Sequence, residues 1–129
     1  MSILLDTHAF IWWADEPEML PATLLDRLCN PEEAVLLSIA SLWEMQIKIG
    51  LGKLTLRQPL RTVVETQQRE NAIDLLAIEP RHLWALGALP AAHGDPFDRL
   101  LIAQSHCDDL TIASRDRQFD AYPIHRLWN

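Results

Sequence analysis

Short uninterrupted apolar runs are the feature that most limits how this chain can fold. They occupy Ser2–Leu5, Ala34–Leu37 and Leu110–Ala113, and a polar residue follows each run. A strand without polar alternation is buried on both faces, as in a parallel sheet covered by helices. Further strands are predicted at 72–78 and 124–128. The sequence therefore predicts an α/β fold: a three-layer sandwich with a central, mostly parallel sheet of four to five strands flanked by helices.

Helical spacing of apolar residues fills the segments between these runs. It predicts helices at 8–14, 20–28, 39–49, 59–70 and 80–89, and a further helix that begins just after Asp95. The chain has 129 residues, 49% of them hydrophobic, which suits one core. It shows no repeat or linker, so we expect a single domain over residues 1–129.

Composition limits the class of protein and its compartment. The longest apolar run near the start, Ala9–Ala14, is far shorter than a membrane span. The first residues reach Asp6 without a basic leader, which is not typical of a secretion signal. Cys29 and Cys107 form no Cys-x-x-Cys pair, so neither a redox motif nor a zinc site is indicated. We therefore expect a cytoplasmic protein without a membrane partner.

Charge limits how the protein can handle nucleic acid. The net charge is −7 and the pI is about 5.1, which argues against a broad basic face. A local cluster of Lys48, Lys53, Arg57 and Arg61 is the best candidate for phosphate contact. The alternative is that these residues form an ordinary solvated surface. If that alternative is correct, the protein would have to bind a polyanion through bound cations instead of basic side chains.

The segment His93–Gln104 places two carboxylates directly ahead of an apolar helix. Asp95 fits the position that caps the helix, Pro96 fits its first turn, and Asp98 follows. Leu100, Leu101 and Ala103 are expected to be buried. Capping and the positive end of the helix explain both acids without catalysis. Their significance depends on where the other carboxylates lie.

Two further carboxylates follow strands. Asp6 comes directly after the first apolar run, and Asp116 follows the run that ends at Ala113. Because the carboxyl ends of parallel strands share one edge of a sheet, these side chains are expected to meet where ligands bind in such folds. The alternative for Asp6 is a helix cap.

A fourth carboxylate, Glu44, lies in the predicted helix at 39–49. The apolar arc of this helix, predicted to form its core face, contains Ile39, Leu42, Trp43, Gln46, Ile47 and Ile49. Glu44 falls just outside that arc. It is either a surface partner of Lys48 or a carboxylate held at the edge of the core toward a shared site.

Asp6, Glu44, Asp98 and Asp116 are predicted to converge within coordination distance of one cation. Clustered carboxylates raise one another's pKa, and a divalent cation relieves the repulsion. A pocket of oxygen ligands suits Mg²⁺ or Mn²⁺, which can activate water to hydrolyse a phosphodiester. Thr7, Ser114 and Asp95 are candidates for supporting contacts.

The motifs together resemble the PIN-domain family, in particular its VapC-type toxins. The resemblance rests on Leu4–His8 with Trp12-Trp13, Ser38–Glu44 leading to Gly52–Leu54, His93–Gln104, and Ser114–Asp116 with Phe119 and Tyr122. It implies that Asp6, Glu44, Asp98 and Asp116 are the metal-binding acids. It also implies a Mg²⁺- or Mn²⁺-dependent endoribonuclease, a cognate antitoxin partner and a homodimer. His8 and His93 recur in the motifs, where structural hydrogen bonding is expected.

The resulting hypothesis is an endoribonuclease toxin of a type II toxin–antitoxin pair, with RNA as substrate. Lys48, Lys53, Arg99 and Arg115 are candidates for positioning phosphates, although Arg99 and Arg115 could instead pair with adjacent acids. Trp12, Trp13 or Trp43 could line a groove for an antitoxin segment or fill the core. Two alternatives remain: a catalytically silent module that binds an antitoxin, and a metal-dependent nuclease or phosphatase acting on DNA or small phosphoesters.

Overall fold

The structure is a computed structural model that describes residues 2–90 and 94–129. Its central element is a five-stranded sheet. Its strands are β1 (Ser2–Leu5), β2 (Ala34–Ser38), β3 (Asp74–Leu76), β4 (Thr111–Ala113) and β5 (His125–Leu127). Their order is β3-β2-β1-β4-β5, and all four pairings are parallel. The predicted parallel α/β sheet is therefore confirmed.

Six α-helices connect these strands in the described part of the chain. They are α1 (Thr7–Asp15), α2 (Ala22–Leu28), α3 (Ile39–Gly50), α4 (Leu60–Asn71), α5 (Pro80–Ala88) and α6 (Pro96–Asp108). Two short 3₁₀ helices cover Pro17–Met19 and Arg117–Ala121. Across residues 2–90 and 94–129, every helix is too short or too polar to cross a membrane.

The core lies on both faces of the sheet, which explains the uninterrupted apolar runs. Ile3, Leu4 and Leu5 of β1 are all completely buried. Because side chains alternate along a strand, Ile3 and Leu5 belong to one apolar cluster and Leu4 to the other. Helices α1, α2 and α4 cover the first face, and α6 covers the second with Leu101 and Ile102. The predicted three-layer arrangement follows from this double burial.

The predicted core face of α3 is wrong. Ile39, Trp43 and Ile47 are 37%, 58% and 38% exposed. The buried residues of α3 are Ala40, Ser41, Glu44 and Met45. The small side chains of Ala40 and Ser41 allow close packing of this face against α1 and α6, and that contact turns the larger apolar residues outward.

The outward residues of α3 line an apolar groove of about 520 Å³ against α4 and β3. Its apolar wall consists of Ile39, Leu42, Trp43, Leu60, Val64 and Leu75. The strand predicted at 72–78 is also shorter than expected, since Ala72 adopts a left-handed conformation (φ 54°) that ends α4.

Candidate active site

Two neighbouring strands deliver Asp6 and Asp116 to the carboxyl edge of the sheet. Leu5 of β1 pairs with Ala113 of β4, and the backbone N–H of Asp6 donates to the Ala113 carbonyl at 3.0 Å. Asp6 caps α1 by accepting from the Ala9 N–H at 2.7 Å. Asp116 caps the following 3₁₀ helix by accepting from the Gln118 N–H at 2.9 Å. Capping thus fixes both carboxylates at one edge of the sheet.

Helix α6 begins at the same edge. Asp95 caps it by accepting from the N–H groups of Phe97 and Asp98, at 2.9 and 3.2 Å, and Pro96 occupies its first position. Leu100, Leu101 and Ala103 are buried as predicted. The packing of this apolar face fixes the direction in which the first turn presents Asp98.

The predicted acids line one small cavity of about 120 Å³. We call it the acidic cavity; its wall consists of Asp6, Thr7, His8, Glu44, Lys48, Asp95, Asp98, Asp116 and Phe119. Five carboxylates from four separate stretches of sequence therefore border one space. Asp6 and Asp95 also cap helices, as the alternative interpretation predicted. A capping carboxylate can face the cavity at the same time.

The electrostatics of the cavity are most evident at Asp98. Burial, the largest cause, together with the negative charges of four other carboxylates raises the pKa of Asp98 from 3.8 to about 7. In decreasing order of effect, those charges are on Asp95, Asp6, Glu44 and Asp116. The cavity therefore disfavours a further negative charge and favours a cation.

A hydrogen bond from the side chain of Ser114 holds the Asp6 carboxylate in place. Burial raises the pKa of Asp6 above its usual value, and hydrogen bonds from the Ser114 side chain and the Ala9 N–H oppose that rise. Ser114 is completely buried, and its Oγ also accepts from the Asp116 N–H at 3.0 Å. Ser114 thus ties Asp6 to the backbone of Asp116 instead of lining the cavity.

Glu44 is 4% exposed, and both of its oxygens have partners. Thr7 Oγ1 donates to Oε1 at 2.6 Å, and Lys48 Nζ donates to Oε2 at 2.7 Å. The hydrogen bond from Lys48 to Glu44 raises the pKa of the lysine. Both interpretations of Glu44 therefore hold, since it pairs with Lys48 and faces the shared cavity.

Direct coordination of one cation by Asp6, Glu44, Asp98 and Asp116 stays a prediction. Within residues 2–90 and 94–129, no three Asp, Glu, His or Cys side chains are arranged to hold one metal ion together. Two of the acids accept hydrogen bonds within the protein. Asp6 accepts from Ser114 and the Ala9 amide, and Glu44 accepts from Thr7 and Lys48. The donor set nevertheless fits Mg²⁺, which retains several waters and takes only one or two carboxylates.

The predicted phosphate-positioning residues lie in different places. Lys48 lines the acidic cavity, while Lys53 and Arg115 line pockets beside it. Arg99 does not line the cavity. Its guanidinium donates to the Pro90 carbonyl at 2.7 Å and the Leu86 carbonyl at 3.4 Å, so it ties α6 to the end of α5 instead of pairing with an acid.

The tryptophans divide between core and surface. Trp13 is 8% exposed and belongs to the core, whereas Trp43 is exposed beside the apolar groove. Trp12 is half-buried and borders the pocket that contains Arg115.

One residue near the cavity, Arg117, escaped prediction, and the prediction for another, His8, is wrong. Arg117 lines the same pocket as Arg115 and was signalled only by the alternation Arg-Asp-Arg at 115–117. The ring of His8 is exposed and contacts Trp12, and it makes no hydrogen bond with any described residue, so its expected structural hydrogen bond is wrong. His93 lies outside the described residues.

Comparisons with known proteins agree on the fold. The sequence model of the PIN domain family matches residues 3–124. Ribonuclease VapC22 of Mycobacterium tuberculosis is 25% identical over 122 residues, which cover 94% of this chain and 92% of that protein. VapBC2 from Rickettsia felis, solved bound to a DNA fragment from its promoter, is similar with a TM-score of 0.78 and 14% identity, covering 100% of both chains. DNA-bound VapBC from Salmonella typhimurium has a TM-score of 0.72 and 16% identity, covering 98% of this chain and 97% of that one.

Proposed function

The chain belongs to the PIN domain family, and we propose that it is a metal-dependent endoribonuclease, the toxin of a type II toxin–antitoxin pair. The observation that carries this proposal is the acidic cavity, in which Asp6, Glu44, Asp98 and Asp116 face one space at the carboxyl edge of a parallel sheet. Similarity over most of its length to a protein named as a ribonuclease supports RNA as the substrate.

One or two of the carboxylates Asp6, Glu44, Asp98 and Asp116 would bind Mg²⁺, or Mn²⁺ in its place, directly, and the others would hold it through its water molecules. Asp95 borders the same cavity, and Ser114 would act through its hydrogen bond to Asp6. When bound, such a cation lowers the pKa of a water molecule and offsets negative charge on a phosphodiester. The crowding of negative charge around Asp98 supports this assignment.

The neighbouring side chains orient the carboxylates and the substrate. The hydroxyl of Thr7 and the ammonium of Lys48 each hold one oxygen of Glu44, which fixes the plane of its carboxylate. The Lys48 side chain is 37% exposed at the cavity, so its remaining N–H donors can contact a phosphate oxygen. Lys53 and Arg115 beside the cavity would contact neighbouring phosphates.

The proposal extends to partners and compartment. Similarity to VapBC complexes supports an antitoxin as partner, and the exposed apolar side chains of α3 offer a surface on which a protein can pack. Cys29 and Cys107 are both free and exposed, which suits the reducing cytoplasm. The homodimer implied by the resemblance stays a prediction.

An RNA cleavage assay tests the function. Purified wild-type protein is incubated with structured RNA and with DNA, in Mg²⁺ and in EDTA, beside Asp6→Asn and the control Asp26→Asn, which alters an exposed carboxylate on α2. We expect wild type and Asp26→Asn to cleave RNA only with Mg²⁺, and folded Asp6→Asn to be inactive. Cleavage of DNA alone would indicate the alternative nuclease. Failure of folded wild type to cleave either polymer would favour a silent binding module.

A further inference from the structure

His8 borders three neighbouring cavities. One is the acidic cavity. The second, which we call the arginine pocket, has a volume of about 380 Å³ and adds Trp12, Arg115 and Arg117. The third, the lysine pocket, has a volume of about 470 Å³ and includes Lys48 and Lys53. Because one side chain lines all three, the pockets adjoin at His8.

The acidic cavity adjoins both other pockets, which also meet each other directly at Trp12. It shares Asp6 and Asp116 with the arginine pocket, and Thr7 and Lys48 with the lysine pocket. A chain molecule with its reacting bond at the carboxylates would therefore extend into both pockets. The side chain of His8 would lie beside this chain molecule.

Each outer pocket contains exposed cationic side chains, and the lysine pocket is also lined by Asp15 and Glu16. Arg115 and Arg117 are exposed in one pocket, and Lys53 is exposed in the other. Among the described residues, the side chains of Arg115 and Lys53 make no hydrogen bond or ion pair. Elsewhere, Arg27, Arg61, Arg81 and Arg126 are each paired with a carboxylate, whereas Arg57 and Arg69 have no ion pair with any described residue. In a chain of net charge −7, cations on both sides of an acidic cavity suit an anionic polymer.

Aromatic rings lie between these charges. The ring centroids of His8 and Trp12 are 5.7 Å apart, and those of Trp12 and Trp128 are 5.9 Å apart. Trp12 and Trp128 are both half-buried, whereas His8 is exposed at the outer end of the row. The ring planes are inclined by 40° and 59° to their neighbours, so the three rings share no flat face. The exposed ring of His8, supported by Trp12, is the surface on which a base of single-stranded nucleic acid can stack.

We propose that single-stranded RNA lies along the three pockets, with one base stacked on the His8 ring and flanking phosphates bound by Arg115 and Lys53. This proposal rests on the proposed ribonuclease function and adds the path of the substrate. His8 is then a substrate-positioning residue, and it takes no part in holding the cation.

The stacking part is tested by comparing His8→Ala with His8→Phe, which keeps a flat ring. We expect His8→Ala to raise KM for a single-stranded RNA oligonucleotide about tenfold and to change kcat less. His8→Phe should restore most of the affinity. A purely structural role for His8 would not produce this split between KM and kcat or its rescue by phenylalanine.

The charge part is tested by the salt dependence of RNA binding. Arg115→Ala and Lys53→Ala should each lower the slope of log affinity against log salt concentration by about 0.7, the value for one phosphate contact on a single strand. Arg69→Ala is the matched control, because Arg69 is exposed on α4 and lines none of the three pockets. Its slope should equal that of wild type.

Three outcomes would overturn the proposal. If wild type cleaves RNA while His8→Ala keeps the wild-type KM and all slopes are equal, the path is wrong and the ribonuclease function stands. If the variants bind RNA normally but lose a protein partner that copurifies with wild type, the pockets form a protein-docking surface. If folded wild type neither binds nor cleaves RNA, the path and the function both fail.

Discussion

Glu44 and Lys48, one turn apart on α3, form a 2.7 Å hydrogen-bonded ion pair in which the carboxylate is almost completely buried and the lysine is 37% exposed. The second oxygen of Glu44 accepts from Thr7 on α1. This pair therefore joins two helices at the acidic cavity, and it keeps a buried charge compensated in the absence of substrate.

Removing the lysine should destabilise the protein. We expect Lys48→Ala to lower the free energy of unfolding by about 1 to 2 kcal/mol, since it leaves a buried carboxylate without its cationic partner. The control is Arg61→Ala on α4, which breaks a pair of equal spacing and length whose side chains are 91% and 54% exposed. Urea denaturation should show little change for the control; equal losses in both variants would contradict the role of burial.

The raised pKa of Asp98 predicts a pH-dependent stability. Its folded pKa of about 7 exceeds the ordinary value of 3.8, so between these values the folded protein binds more protons than the unfolded chain. The stability that protonated Asp98 contributes is complete below about pH 4 and is lost as the pH rises to about 7. In EDTA, the Tm of Asp98→Asn should therefore rise relative to wild type from about pH 5 to about pH 8. A constant difference in Tm would contradict the prediction.

Ser114 should matter through the carboxylate of Asp6, to which it donates a hydrogen bond. We expect Ser114→Ala to weaken Mg²⁺ binding about tenfold or more, because Asp6 loses a hydrogen bond that orients it. Ser114→Thr should retain binding through its hydroxyl. Ser105→Ala is the control, since Ser105 is equally buried and its Oγ has no hydrogen-bond partner among the described residues. Isothermal titration calorimetry gives the affinities, and equal weakening by both alanine variants would refute the role of Ser114.

Arg99 should support the stability of the fold, whereas Arg115 should support substrate binding. Arg99→Ala removes bonds to two carbonyls near the end of α5 and should cost about 1 kcal/mol of stability with little effect on KM for RNA. Arg115→Ala should raise KM while the Tm stays near that of wild type. A raised KM in Arg99→Ala at unchanged stability would show that Arg99 contacts substrate.

The sequence predicted the features that depend on local pattern. Apolar runs buried on both faces indicated a parallel sheet, and Asp6 and Asp116 directly after β1 and β4 had to share its carboxyl edge. The buried face of α3 escaped prediction because small residues and Glu44 pack inward while Ile39 and Trp43 face outward. Hydrophobicity alone cannot reveal such an inversion, since the decisive factor is how closely α3 approaches its neighbours.

The directions in which side chains point could not be predicted from the sequence either. Arg99 is adjacent to Asp98 in the chain, yet it contacts carbonyls of α5 and the following turn instead of the cavity. Arg115 and Arg117 lie beside the cavity because the turn after β4 directs them there. Spacing identified which residues carry charge near the site, whereas the tertiary fold decides which of them face it.

Direct titration with Mn²⁺ tests the central claim that the acidic cavity binds a divalent cation. Wild type, Asp98→Asn and the surface control Asp26→Asn are compared by calorimetry at neutral pH. We predict saturable uptake by wild type and the control, and affinity weakened at least about tenfold in folded Asp98→Asn. Equal affinity in all three proteins, or no uptake by folded wild type, would contradict it.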